Sequence, residues 1–222
     1  MIRKLLFILV MLAATCVANA AHETVDVDLN LIKVGVTSHP GRYSELTNRF
    51  VSGDTTLTSN ELATVYYGYA FTSDYDPTDH YNELTTAYTD GDYDKVWKLA
   101  NQAMEYNPVS LDLTIKALVA ANNINNPEAR KMIPVLQNRY GMITRIILES
   151  GAGTDSDSPF IVICEDDISR IIRNVIGAES LLGNANIKGL EAIKITLPND
   201  ERQHILYFDN NLQHKYEREH DK

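Results

Sequence analysis

The stretch from Gly91 to Pro108, GDYDKVWKLANQAMEYNP, constrains the fold more than any other part of the chain. Val96, Leu99, Ala100, Ala103 and Met104 recur at helical spacing, and Tyr93, Trp97, Ala100 and Met104 form an adjacent stripe. A helix that is apolar over more than one face requires neighbours on both sides, and Trp97 is expected to bridge them. Its ends are legible, because Gly91 breaks a preceding helix, Asp92 caps the next, and Asn107 and Pro108 stop it. The small Ala100 and Ala103 let a partner helix approach between the bulky Tyr93, Trp97 and Met104. This is the pattern of the second helix in a tetratricopeptide-type hairpin.

The flanking segments repeat helix, short turn, helix. His39, Pro40 and Gly41 form a turn into a helix carrying Tyr43, Leu46 and Phe50, which SGDTT then interrupts. Leu57 to Phe71 restarts, with Thr58 and Glu61 at capping-box spacing. Tyr81 to Tyr88 is the expected first helix of the central hairpin, with Tyr81, Leu84 and Tyr88 inward. After Pro108, Leu111, Ile115, Leu118 and Val119 make a stripe that ends at INNP, and Ala129, Met132, Ile133 and Leu136 make another, which Pro134 is expected to kink or shorten. Met142 to Leu148 suits a helix or a strand. Ala21 to Val34 alternates weakly through Val25, Val27, Leu29 and Leu31, as a short strand or tether does, although Leu29, Ile32 and Val36 permit a helical turn.

The loop ESGAGTDSDSP changes the character of the chain. Beyond it, Phe160 to Cys164 is a strand candidate, and a helix with Ile168, Ile171, Ile172, Val175 and Ile176 inward is expected to be capped by Asp166 or Asp167 and closed by Gly177. Glu179 to Gly189 reads as irregular. Leu190 to Leu197 and Gln203 to Phe208 make a hairpin across PNDE, beside which FIVIC can pair. The expected fold is α+β: a mainly helical tetratricopeptide-like hairpin array over residues 21–149, then a small antiparallel or mixed sheet with one packed helix over 150–214, continuous with the helical part. Residues 215–222 form a charged tail expected to stay solvated.

The beginning of the chain bounds its location. Arg3 and Lys4 precede an apolar run from Leu5 to Ala14, followed by Ala18-Asn19-Ala20, the arrangement of a secretory signal peptide cleaved after Ala20. The expected destination is periplasmic or extracellular, and the mature chain should hold no transmembrane segment. Thr15 before Cys16 does not suit a lipid-attachment site. Losing residues 1–20 removes two basic residues and leaves 18 Lys and Arg against 30 Asp and Glu, a formal charge of −12 that discourages binding to nucleic acid by charge alone.

Little in the chain reads as reaction chemistry. Cys164 alone remains in the mature chain, within the apolar FIVIC, where a buried free thiol is the ordinary outcome. Asp74, Asp76, Asp79 and His80 surround Pro77, and the same letters explain a loop and a helix start as well as they would a metal site. Asp155 and Asp157 begin a calcium-loop spacing without its glycine and terminal glutamate. No catalytic residue, metal ligand or cofactor is assigned. Tyr66, Tyr67, Tyr69, Tyr75, Tyr81, Tyr88 and Tyr93 supply rigid contact area with hydroxyls, suited to helix packing or to a binding surface for an envelope protein or peptide. A noncatalytic interaction or scaffolding module is the favoured reading, and a carboxylate- or metal-dependent hydrolase using His80 is the alternative.

Leu62-Ala63-Thr64-Val65-Tyr66-Tyr67-Gly68, the Asp76-Pro77 turn, the Gly91 to Pro108 helix and the late Leu206-Tyr207-Phe208-Asp209-Asn210 together resemble the DUF4919 family of exported proteins from Bacteroides-type bacteria. The resemblance spans most of residues 40 to 212. It implies a mixed helical and β organisation and an exported protein, and it carries over no activity or catalytic residue.

Mass spectrometry of the protein isolated from its producing cell should find a chain that starts at Ala21 or a close neighbour. Retention of residues 1–20, or a diacylglyceryl group on Cys16, would contradict the leader.

Overall fold

A computed structural model describes residues 24–78 and 81–220, so the expected leader, Asp79 and His80 lie outside the described residues. The chain forms α1 (Leu29–Ser38), α2 (Pro40–Val51), α3 (Ser59–Tyr69), α4 (Asn82–Asp90), α5 (Tyr93–Tyr106), α6 (Leu111–Asn123) and α7 (Pro127–Glu149). There follow β1 (Phe160–Ile161), α8 (Glu165–Arg170) continued by a π-helical turn (Ile171–Ile176), β2 (Ser180–Ile187), β3 (Leu190–Leu197), β4 (Asp200–Asp209) and α9 (Asn211–His220). This is a mixed α+β fold in which helices precede a small mixed sheet. Among the described residues two compact units divide it, one of Val27–Ile146 and one of residues 147–220 with 24–26.

In the helical unit, α5 packs on α4 and on α6, as its two apolar stripes demand. Gly91, in the left-handed conformation at φ 74°, ends α4, and the Asp92 side chain accepts the Lys95 N–H to start α5. Successive helix pairs of this kind are tetratricopeptide-like. Val96, Ala100, Ala103 and Met104 are the buried face of α5, whereas Trp97 is half-buried. The expectation that Trp97 is the enclosed bridge is therefore corrected. That place belongs to α6, which is buried without a break from Leu111 to Leu118.

A helix enclosed on every side must satisfy its polar groups internally. Ser110 caps α6 by accepting the Leu113 N–H, and Thr114 donates to the Ser110 carbonyl at 2.8 Å. Lys116 and Asp112, 4% and 6% exposed, form an ion pair at 2.8 Å. Lys116 also donates to Thr85 Oγ1 on α4 at 3.0 Å, tying the two helices together.

The entry to this unit differs from the weak strand pattern read at its start. Asp28 accepts the N–H groups of Asn30 and Leu31 and starts α1, so a satisfied cap outweighs the local alternation. α1 and α2 both pack on α3. Gly68 permits the approach: a Cβ there would meet Val36 of α1 at 2.8 Å and Tyr43 of α2 at 3.0 Å. Pro134 does not end α7, which continues through the ambiguous Met142 to Leu148. Ala129 before Pro134 and Leu136, Tyr140, Ile143 and Ile147 after it are all buried at helical spacing, and that packing outweighs the lost hydrogen bond. From α7, Asn138 donates to the Gly53 carbonyl, Arg139 to Pro108 and Arg145 to Leu57.

The second unit holds a sheet in the order β1-β4-β3-β2, with β1 parallel to β4 and the other pairs antiparallel. Only Phe160 and Ile161 of FIVIC pair as a strand, and the Phe160 ring lies 5.6 Å from that of Phe208. Glu179 to Gly189, expected to be irregular, contains β2. All of β2 is exposed, so the alternating burial that betrays a strand never arises. Neither Asp166 nor Asp167 caps α8: both lie inside its first turn, and Gln213 of α9 accepts the Glu165 N–H at 2.7 Å instead. Of the tail expected to stay solvated, residues up to His220 belong to α9, and Lys215, Arg218 and Glu219 are exposed.

Replacing Lys116 with Met leaves Asp112 buried without its cation and is expected to cost about 3 to 5 kcal/mol. The double change of Asp112 and Lys116 to Leu and Met should recover most of that loss. Urea unfolding of the three proteins checks both, and a Lys116→Met loss below about 0.5 kcal/mol would show that the pair is not enclosed.

Candidate functional site

The seven tyrosines separate by depth. Tyr66, Tyr67, Tyr69 and Tyr75 are buried. Tyr66 and Tyr67 sit edge to face with centroids 4.9 Å apart, and Tyr67 donates to the Ile146 carbonyl. Tyr69 packs edge to face on Tyr75 at 5.7 Å and donates to the Asp74 carbonyl at 2.7 Å. Burial, with Tyr81 and Asp74 nearby, pushes the Tyr69 phenol well above its ordinary range. These four fill the core and offer no outward surface.

Tyr81, Tyr88 and Tyr93 are half-buried. Tyr81 immediately precedes α4 and Tyr88 lies two turns further along it, so they share one side of the helix. On α5, Tyr93, Trp97 and Asn101 follow at one-turn spacing, all half-buried, and Asn101 donates to the Trp97 carbonyl at 2.6 Å. An ion pair of 2.8 Å between Glu83 and Lys95 links the two helices. The structure thus brings Tyr81, Tyr88 and Tyr93 onto one packed helix pair and takes the other four tyrosines inside. Two aromatic residues with partial or full exposure were missed from sequence: Trp97, assigned to the core, and Tyr106, which is 69% exposed on the last turn of α5. The signal for Trp97 was its place on the second stripe of a helix whose first stripe, Val96, Ala100 and Ala103, suffices for the core.

Ionisable groups elsewhere are engaged structurally. Arg49 bonds Asp54 at 2.8 Å, Thr56 at 3.1 Å and Glu61 at 3.2 Å, and Arg42 bonds Glu61 at 3.1 Å. Glu61 also completes the capping box with Thr58. The Thr56 hydroxyl and Arg49 draw the Asp54 carboxyl down to about 2, and the Thr58 N–H lowers Glu61. Such carboxylates stay ionised and are poor proton donors near neutrality. Burial, with Asp167 nearby, raises the Cys164 thiol well above its usual range, the opposite of what a thiolate nucleophile needs. Asp76 accepts the Thr78 N–H, and Asp155 accepts the Asp157 N–H, both as turn-forming side chains. Among the described residues no group of three or more His, Cys, Asp and Glu is placed to hold a metal ion.

The fold is that of an α+β protein built on stacked helical hairpins, with half-buried aromatic residues on α4 and α5. Residues 30–218 match the family described as Domain of unknown function (DUF4919), and the chain belongs to that family. No curated protein and no solved structure matches the chain.

Because the folded Asp54 value lies below the ordinary 3.8, its contribution to stability is complete above about pH 4 and lost as pH falls through about 2. The denaturation midpoint should therefore drop over that interval, and Asp54→Asn should flatten the drop while lowering stability at pH 7. An unchanged acid limb in Asp54→Asn would show that this carboxylate gains nothing from Arg49 and Thr56.

Proposed function

We propose that the protein is a noncatalytic interaction or scaffolding module of the cell envelope, whose helical unit takes a protein or peptide partner on α4 and α5. The half-buried aromatic residues Tyr81, Tyr88, Tyr93 and Trp97 carry this reading. Tyrosine and tryptophan present large rigid area with a polar tip, and they dominate binding energy where a partner excludes water from them. Asn101 and the Glu83 to Lys95 pair supply the polar surround of such a contact. The envelope follows from the charged start, apolar run and Ala18-Asn19-Ala20 site. A protein or peptide suits an acidic chain better than nucleic acid does. No described helix is long and apolar enough to cross a membrane.

Affinity capture from the envelope of the producing cell tests the surface. Tyr88→Ala with Trp97→Ala should cut partner recovery about tenfold or more, with the far-UV spectrum unchanged. Equal recovery by the folded double variant would remove these residues from any binding role.

A further inference from the structure

The outer strand of the sheet is built unlike an ordinary protected edge. β2 ends the order β1-β4-β3-β2, and each of its residues is exposed. Leu181, Leu182 and Ile187 are 44%, 47% and 38% exposed. The strand reads Ser-Leu-Leu-Gly-Asn-Ala-Asn-Ile, with no charged residue and no proline. An edge strand presents a row of backbone N–H and C=O groups, and natural chains usually guard it with lysine, proline or an inward charge. None of these stands within β2, whose one interruption is a bulge between Leu181 and Gly183. In a chain of formal charge −10, an uncharged strand is also where two copies can meet without mutual repulsion.

The register supplies the occupant. β2 pairs with β3 from Ser180↔Thr196 to Ile187↔Leu190, and the pairing steps from Leu181↔Ile195 to Gly183↔Lys194, which leaves Leu182 as a bulged extra residue. Counted in rungs of the ladder, Asn184 is therefore the middle of the strand. A two-fold axis at Asn184 sets Gly183 opposite Ala185, the Leu181-Leu182 bulge opposite Asn186, and Ser180 opposite Ile187. Just beyond the ladder, Glu179 precedes its first rung, and Lys188, at φ 55°, stands in the two-residue turn after its last, so at both ends of the pairing the exposed Glu179 of one copy lies beside the exposed Lys188 of the other. Moving the axis by one rung in either direction abolishes both charge pairs. The only charges flanking this uncharged strand are thus of opposite sign and equidistant from its centre.

We propose that β2 pairs antiparallel with β2 of a second copy, joining two four-stranded sheets into one continuous sheet about an axis at Asn184. Such an interface is isologous and closes as a dimer rather than growing into a fibre. It uses the second unit alone and is independent of the aromatic surface on α4 and α5.

Sedimentation equilibrium of the natural-length protein, from micromolar to millimolar concentration, tests this. The unaltered chain should dimerise, and its β2 amides should exchange more slowly as dimer forms. Asn184→Lys sets like charges against each other at the axis and should leave a folded monomer. Glu179→Lys, or Lys188→Glu, should weaken self-association about tenfold, and the two together should restore it, because the pairs are re-formed with signs exchanged. A monomer at every concentration, oligomers larger than two, a dimer indifferent to Asn184→Lys, or a charge exchange that fails to restore binding would each overturn the proposal. The charge-exchange pair decides the matter by itself should Asn184→Lys fail to fold.

Discussion

The helical unit depends on one enclosed helix that carries an ion pair. α6 is buried continuously from Leu111 to Leu118, yet Asp112, Thr114 and Lys116 lie within that run. A charge taken out of water is tolerable only with its partner in place, so the 2.8 Å pair and the Thr85 contact fix where α4 must stand relative to α6. Apolar burial alone would accept α4 at many rotations. The pair selects one, and α5 then closes over both with its small Ala100 and Ala103 at the contact.

The turns between helices raise a second problem, since their carbonyls have no partners within a helix. α7 answers much of it in this unit: Asn138, Arg139 and Arg145 donate to the carbonyls of Gly53, Pro108 and Leu57. Arg139, 3% exposed, also lies over the Phe50 ring at 5.5 Å, where the negative face of the ring attracts the buried guanidinium. The second unit uses the same device at smaller scale, where Gln213 serves the first N–H of α8 and is itself bonded to Glu217. In both units, donors and acceptors distant in sequence finish helices whose own letters leave them open.

The separation of buried from half-buried tyrosines also follows from packing. Tyrosines on α3 enter the core because Gly68 brings α1 and α2 against that helix, and Tyr66, Tyr67 and Tyr69 then have no outward side. Tyr81, Tyr88 and Tyr93, at the start of α4, along it and on α5, stay half-exposed. A count of tyrosines in the sequence could not separate the two groups. Both occur at helical spacing, and what distinguishes them is which side of their helix the rest of the chain covers.

The sequence by itself determined the local punctuation: the Thr58 to Glu61 capping box, the Asp92 cap, the helix-breaking Gly91, the turn within PNDE and the two hairpin strands are short-range features whose physics is complete within a few residues. It also determined the family, through several such segments taken together. Only the tertiary structure decided that α6 rather than α5 is enclosed, that α7 runs through Pro134, that β2 is a strand, and that Gln213 caps a helix 48 residues earlier. Each depends on what the rest of the chain brings alongside. A proline is tolerated where flanking packing outweighs one lost bond, an exposed strand forms because β3 supplies its ladder, and a cap from a distant residue leaves no spacing to read.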